Sequence, residues 1–225
     1  QQPAILVTEI AMYRSAVAAF GLDATVFGGH SLGEYAALVA AGVLGLAEAA
    51  TLVRERGRLM QEAAPEDGAM AALIAKPGAE LTEAGVMSAI EGLEVDIANI
   101  NAPDQIVLSG LAEDLDRAVA AARSAAGSGR LRVRRLRVSA PFHSRFMRPA
   151  AASFRVLLDR SAGAWQCDRA AQVSSNYTGE FHSGDKRHLL EALGHQLCSP
   201  VRWAANMATI VATAQAAATV EVVEI

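Results

Sequence analysis

Residues Phe27-Gly28-Gly29-His30-Ser31-Leu32-Gly33-Glu34-Tyr35 hold a Gly-x-Ser-x-Gly spacing between a short apolar run and a helix-forming stretch. This is the pattern of a nucleophile elbow, a serine raised on a tight strand-to-helix turn. Such a serine sits in a strained backbone conformation, so its neighbours must be small for the turn to close. The helix that follows aims free N–H groups and its positive dipole end at the reacting centre. The backbone N–H of Leu32 is then placed to donate to an oxyanion.

A serine hydroxyl needs a base to become a nucleophile near neutral pH. His30, His143, His182, His188 and His195 are available. His30 adjoins Ser31, so its side chain leaves the turn in another direction and reads as a wall of the pocket. His182 and His188 lie in polar stretches and are expected at the surface. His195 precedes Cys198 by three residues, too few ligands for a metal site, and reads as a helix-surface residue. His143 follows Ser139-Ala140-Pro141-Phe142, where a strand ends and proline fixes the backbone. Strand ends at loop mouths are where α/β folds place reactive groups, so His143 is either the base or a packed loop histidine.

Helix arithmetic adds Arg56. The helix leaving Ser31 runs roughly 11 residues, about 16 Å, before Gly42 and Gly45 turn the chain. A returning helix from residue 46 needs roughly 10 residues to regain the serine's level, which brings Arg56 beside it. A buried arginine there would take a substrate carboxylate with two charge-assisted bonds. The alternative is an exposed arginine paired with a carboxylate among Arg54, Glu55 and Arg58.

The elements that must position these groups form an α/β chain. The 225 residues are 52% hydrophobic, enough for a large core, and the net charge of −4 with a pI near 5.8 argues against nucleic acid or membrane surfaces as partners. Two irregularly spaced cysteines, Cys167 and Cys198, fit a reduced, cytoplasmic setting. No uninterrupted apolar span of membrane length and no secretory leader is read. Gln1 in place of Met, helical pattern from the first residue, and an apolar strand pattern over residues 220–225 lead to the expectation of truncation at both ends.

Residues 1–68 predict helix, strand (25–27), elbow, helix (32–41) and returning helix (46–63). Residues 69–138 predict strand (69–75), helix (79–91), a hairpin of 95–100 and 105–109, helix (111–126) and strand (131–138). That β-α-β-β-α-β order is ferredoxin-like. Leu131 and Val133 alternate with arginines, then the apolar phase slips to Leu136 and Val138, which predicts a bulge or break near Arg134-Arg135. The basic run 130–137 is either a docking face for an acidic partner or a solvated strand. Residues 139–225 return to the large unit, with helices at 149–158 and 185–197, a strand near Val173, and a last helix and strand. The predicted organisation is therefore a large catalytic subdomain (1–68 and 139–225) with a parallel sheet and an inserted small subdomain (69–138).

The chain also resembles a known family. Gly29 to Tyr35, Arg56-Gly57-Arg58-Leu59-Met60-Gln61, Asn99-Ile100-Asn101-Ala102-Pro103, Val138-Ser139-Ala140-Pro141-Phe142-His143-Ser144 and Ser199-Pro200-Val201-Arg202-Trp203 occur in the order found in malonyl-CoA:acyl carrier protein transacylases and polyketide synthase acyltransferase domains. The Phe142 to Met147 and Ser199 to Trp203 runs look most like the free-standing, trans-acting acyltransferases. The resemblance implies an α/β-hydrolase-like large subdomain and a ping-pong acyl transfer in fatty-acid or polyketide synthesis. Malonyl-CoA is then the substrate and the phosphopantetheine thiol of an acyl carrier protein the acceptor, with no bound cofactor and no metal. It assigns Ser31 as nucleophile, His143 as base and Arg56 to the malonyl carboxylate. A main-chain carbonyl near Gln196 orients the imidazole in place of an acid. Asn101 lines the pocket from the small subdomain, its other role being turn chemistry in the hairpin. Phe142 crowds an α-methyl branch and so favours malonyl over methylmalonyl. Family members carry a Gly-Gln-Gly loop that supplies a second oxyanion donor, expected upstream of Gln1, and a Gly-Pro-Gly turn expected after Ile225. Three rivals remain: an acyl hydrolase of the same fold, which for neutral chains has no use for a cation in the acyl pocket; an ordinary α/β-hydrolase esterase, which needs an acid between Ser and His; and a non-catalytic docking domain.

Overall fold

Helix α1 (Gln2–Phe20) opens the chain in the computed structural model, which describes residues 1–127, 129–214 and 222–225. Pro3 sits in its first turn, where its missing N–H costs nothing, and Gly21 closes it in the left-handed region. Its buried residues Leu6 and Ile10 face α2 (Gly33–Ala40) and α3 (Leu46–Glu62). By length and composition alone α1 is apolar enough to cross a membrane, although Glu9 and Arg14 interrupt its apolar run.

The strand predicted at 25–27 is reduced to one parallel bridge, Phe27 to Val173. Phe27 N–H donates to Gln172 O, and Ser174 N–H donates to Phe27 O. Parallel pairing in the large unit is confined to this contact among the described residues, because Gly28 leads at once into the elbow and Ser174 turns into an antiparallel bridge with Phe181. After Val138 the chain returns through α6 (Arg148–Ser161), α7 (Lys186–His195) and α8 (Trp203–Ala214). Of the predicted terminal strand, residues 220 and 221 lie outside the described residues. Residues 222–225 carry no strand assignment, and Val222 is exposed.

Residues 68–135 form β1 (Gly68–Ala75), α4 (Glu83–Ala89), β2 (Val95–Ala102), β3 (Gln105–Leu111), α5 (Ala112–Ala126) and β4 (Leu131–Arg135). The sheet is antiparallel in the order β2-β3-β1-β4, with both helices on one face. Helix α4 is shorter than predicted, because Thr82 accepts from Gly85 N–H and starts the helix there. Strand β4 ends at Arg135, at the predicted phase slip. Leu131 and Val133 pack with α4 and α5, whereas Leu136 packs with Met70, Ala72, Ala98 and Val107 on the opposite face.

Two large apolar clusters result. One draws on α1–α3 and residues 140–197; the other lies between the sheet and α4–α5. The Met70, Ala72, Ala98 and Val107 cluster lies on the sheet's other face, and Phe142 packs against both it and the first cluster.

Candidate active site

Among the described residues, the only non-glycine positions with positive φ are Ser31 (55°) and His143 (57°). A left-handed L-residue costs roughly 1–2 kcal/mol, so the strain in this backbone falls on the two groups singled out for catalysis. The elbow's demand for small neighbours proves one-sided. A Cβ on Gly29 would lie 2.0 Å from Gly33 O, whereas nothing lies within 4 Å of one on Gly33. Asn176 holds the turn from outside. Its Oδ1 accepts from Ser31 N–H, and its Nδ2 donates to Gly29 O at 2.8 Å. Leu32 N–H has no intramolecular acceptor among the described residues and stands at the start of α2.

Ser31 Oγ donates to His143 Nε2 at 2.8 Å, and His143 Nδ1 donates to the main-chain oxygen of Gln196 at 2.8 Å. Burial, and then the nearby Arg56 charge, push the His143 pKa down to about 3. The imidazole is therefore neutral and able to accept the serine proton.

Arg56 is only 2% exposed. Its Nη2 donates to Ser31 Oγ and to Gln196 Oε1, both at 3.0 Å, and its Nη1 donates to Gln2 Oε1 at 2.9 Å. Arg56 Nε is buried without a partner, and the Tyr35 ring lies 5.9 Å from the guanidinium carbon. No carboxylate among the described residues is within ion-pair distance of it. Burial lowers its pKa from the usual arginine value, yet arginine remains charged throughout the working range. A dry cation with no direct ion pair among the described residues thus faces Ser31, with buried Glu34 acting on it only at a distance. The helix arithmetic had placed it there.

His30 leaves the elbow on another side, as expected. Its Nε2 donates to Asn101 Oδ1 at 2.9 Å, and its ring meets Trp203 edge-on at 5.5 Å. Burial lowers its pKa. Asn101 therefore reaches from β2 into the large unit as well as serving the hairpin. Phe142 is half-buried between the two clusters described above.

His182 corrects the sequence reading: it is 6% exposed and not a surface residue. Its Nε2 donates to Glu34 Oε1 at 2.8 Å. Glu34 Oε2 accepts from Gln196 Nε2 at 2.6 Å and from Asn176 N–H at 3.2 Å. Gln196 Nε2 also donates to Ser31 O at 2.9 Å. His188 and His195 are exposed, and His195 stacks on Tyr177. No cluster of three metal-binding side chains occurs among the described residues. Gln2, Glu34, Asn176 and His182 are thus residues that sequence reasoning missed. The polar run Ser174-Ser175-Asn176 directly after apolar Val173 was the one available signal. A groove of about 740 Å³ between α4, the start of β2 and Arg145 reaches His143.

Residues 1–224 match the family described as acyl transferase domain. The chain is 38% identical over 215 residues to the malonyl CoA-acyl carrier protein transacylase of Bacillus subtilis (strain 168), covering 94% of this chain and 64% of that protein. It is 40% identical over 176 residues to the polyketide biosynthesis protein ThaF of Burkholderia thailandensis, covering 78% of this chain and 14% of that one. Among solved structures, a malonyl-transacylase in complex with its type II polyketide acyl-carrier protein superimposes with a TM-score of 0.80 at 34% identity, covering 94% of this chain and 66% of that one. The chain spans less than two thirds of the length of the Bacillus transacylase.

Proposed function

The chain belongs to the acyl transferase domain family, and we propose that it moves a malonyl unit from malonyl-CoA, through an ester on Ser31, to the phosphopantetheine thiol of an acyl carrier protein. The observation that carries this is the buried Arg56 guanidinium, 3.0 Å from Ser31 Oγ and without a carboxylate partner among the described residues. A malonyl carboxylate would complete it with two charge-assisted bonds. As Ser31 Oγ attacks the thioester carbonyl, its proton passes to His143 Nε2. Leu32 N–H then donates to the oxyanion. Collapse expels the CoA thiolate, which takes the proton from His143. The carrier thiol repeats the sequence in reverse, giving its proton to His143 and leaving with the malonyl group. Substrate binding also tunes the base. Burial is the larger cause of the low His143 pKa, and a carboxylate on Arg56 offsets the second, the guanidinium charge, so the imidazole becomes more basic once malonyl is seated.

The remaining assignments follow this one. Residues 1–68 and 139–225 act as the catalytic subdomain and 69–138 as the inserted one, supported by their separate apolar clusters. His30 and Asn101 line the site, the Gln196 carbonyl orients the base, and Phe142 disfavours an α-methyl branch. One methyl is worth only about 1–3 kcal/mol, so that preference is modest. Two free cysteines support a cytoplasmic location. A hydrolase for neutral acyl groups would leave Arg56 without a partner, and a docking domain would need neither the Ser31–His143 bond nor its strain. Intact-mass measurement after brief exposure to malonyl-CoA tests the proposal: the wild type gains one malonyl group and Ser31→Ala gains none. An unmodified wild type would exclude the reaction.

A further inference from the structure

Strand β2 meets the catalytic groups at three successive places. At its start, Asp96 accepts the backbone N–H of Arg145 at 2.7 Å. The same carboxylate takes the guanidinium of Arg145, with Nε at 3.1 and 3.0 Å from its two oxygens and Nη2 at 2.8 Å from Oδ1. Arg145 Nη2 also donates to Val95 O at 3.2 Å, and its Nη1 lies 3.5 Å from Glu94. Arg145 is two residues beyond His143. In its middle, β2 pairs with the segment that follows Gln196: Val201 N–H donates to Ala98 O at 2.8 Å, and Ile100 N–H donates to Val201 O at 2.9 Å. At its end, Asn101 accepts from His30, the neighbour of Ser31.

The register of β2 makes this possible. Pairing with β3 shifts between Ile97 and Asn99 and again between Ile100 and Ala102, leaving Ala98 and Asn101 without cross-strand partners. The first shift keeps Ile100 in the small core with Val95 and Ile97, although strict alternation would turn it away. Bulges of this kind re-aim side chains beside functional sites.

We propose that Asp96 and Arg145 are a positioning pair that sets the His143 loop against β2, so that one strand aligns the base, the carbonyl orienting it and the nucleophile's turn. This rests on the acyl-transfer role of Ser31 and His143. His143 is held at φ 57°, a conformation that a free loop would leave. The side chains of Arg145 and Asp96 are 35% and 28% exposed. A half-buried, forked pair of this kind is short and directional, so it fixes where the loop sits. Its effect falls on geometry, which separates it from a structural role. A base displaced by a fraction of an ångström loses its alignment with Ser31 Oγ.

Arg145→Ala and Asp96→Asn are compared with Arg155→Ala, which removes an exposed helical ion pair with Asp159. The first two are expected to speed amide exchange in residues 142–147 and to lower kcat for malonyl-enzyme formation about 10–100-fold, with little change in KM. Arg145→Lys, which keeps the charge without the fork, is expected to fall between, and Arg155→Ala to match wild type in both readouts. Unchanged exchange in 142–147, or an unchanged kcat despite faster exchange, overturns the proposal. The exchange comparison needs no substrate. A wild type inert to malonyl-CoA and to a serine-directed fluorophosphonate would instead refute the acyl-transfer role, and the exchange data would still decide whether the pair holds the loop.

Discussion

On the proposed reaction, replacing Arg56 by alanine should separate the recognition of malonyl from its transfer. In the wild type the guanidinium donates to Ser31 Oγ, Gln196 Oε1 and Gln2 Oε1, and a malonyl carboxylate would claim two of its N–H groups. Charge-assisted bonds in a dry site are worth about 1.5–3 kcal/mol each, so losing the fork costs malonyl about 3–6 kcal/mol. At about 1.36 kcal/mol per tenfold, this is a fall of roughly 10²–10⁴ in kcat/KM for malonyl-CoA. Acetyl-CoA has no carboxylate and loses only the contact at Ser31 Oγ. The malonyl-to-acetyl ratio should therefore drop by at least about 10². Arg56→Lys keeps a charge but no planar fork and should fall between. Initial rates of CoA release with each thioester, backed by intact mass of the acyl-enzyme, give the ratio. The same variant should move the acid limb of the pH–rate profile upward, because Arg56 is one of the two main causes of the depressed His143 pKa. A ratio within twofold of wild type would mean that Arg56 does not read the carboxylate.

Three further outcomes follow from the site. Gly29→Ala should not form the elbow, costing more than about 3 kcal/mol, since its Cβ would meet backbone at 2.0 Å. Gly33→Ala should fold and acylate normally; urea melts that rank the two alike would refute the one-sided packing. Glu34→Ala strands two buried donors, on His182 and Asn176, and leaves Gln196 Nε2 only its bond to Ser31 O. At about 1–3 kcal/mol for each stranded donor it should cost about 2–6 kcal/mol in urea unfolding, and a loss under about 1 kcal/mol would show that the network is not structural. His143 has a folded-state pKa of about 3 against 6.5 in the open chain, so between these values the unfolded state binds more protons. Its contribution is whole above pH 6.5 and declines as pH falls toward 3, by up to about 1.4 kcal/mol per unit. His143→Phe should therefore lose less stability than wild type between pH 7 and pH 5, and equal losses would refute the buried neutral imidazole.

What could be read from the residues alone was whatever local punctuation marks. Ser31 is announced by its glycines, His143 by the proline that ends its strand, and Arg56 by counting helical rise in and out of two glycine breaks. The β-α-β-β-α-β order and the end of β4 were legible because each rests on alternation within a single segment. Glu34, Asn176 and His182 were hidden because their partners are remote: Glu34 bonds Asn176 and His182 across 142 and 148 residues of sequence. A histidine in a polar stretch looks solvated until a buried carboxylate is known to face it. The strand at 25–27 was overestimated for a related reason, since apolar runs form ladders only where a neighbour continues alongside, and Val173 supplies one bridge. Helix α4 lost its first turn to a side-chain cap that outcompetes propensity.

Among the described residues His143 is oriented by a carbonyl and not by an acid, and the cation in front of it bears on that choice. Gln196 serves every member of the site at once. Its main-chain oxygen orients the imidazole, its Oε1 accepts from Arg56, and its Nε2 reaches Ser31 O and Glu34. A carboxylate in the position of that orienting oxygen would raise the basicity of His143, but it would add a second negative charge to the one Arg56 already feels from Glu34. The guanidinium would then have little left to offer a substrate carboxylate. A neutral carbonyl fixes the tautomer and ring angle without touching that charge, and its bond only partly offsets the burial and the Arg56 charge that hold the base well below its usual pKa. In the proposed reaction a malonyl carboxylate would relieve the part of this depression that comes from Arg56, leaving the larger part due to burial, whereas an acyl group without a carboxylate would relieve none of it. If the proposed transfer holds, selectivity for a charged acyl unit would be expressed in the strength of the base as well as in binding, so that Ser31 and His143 without an acid would discriminate in kcat as well as in KM.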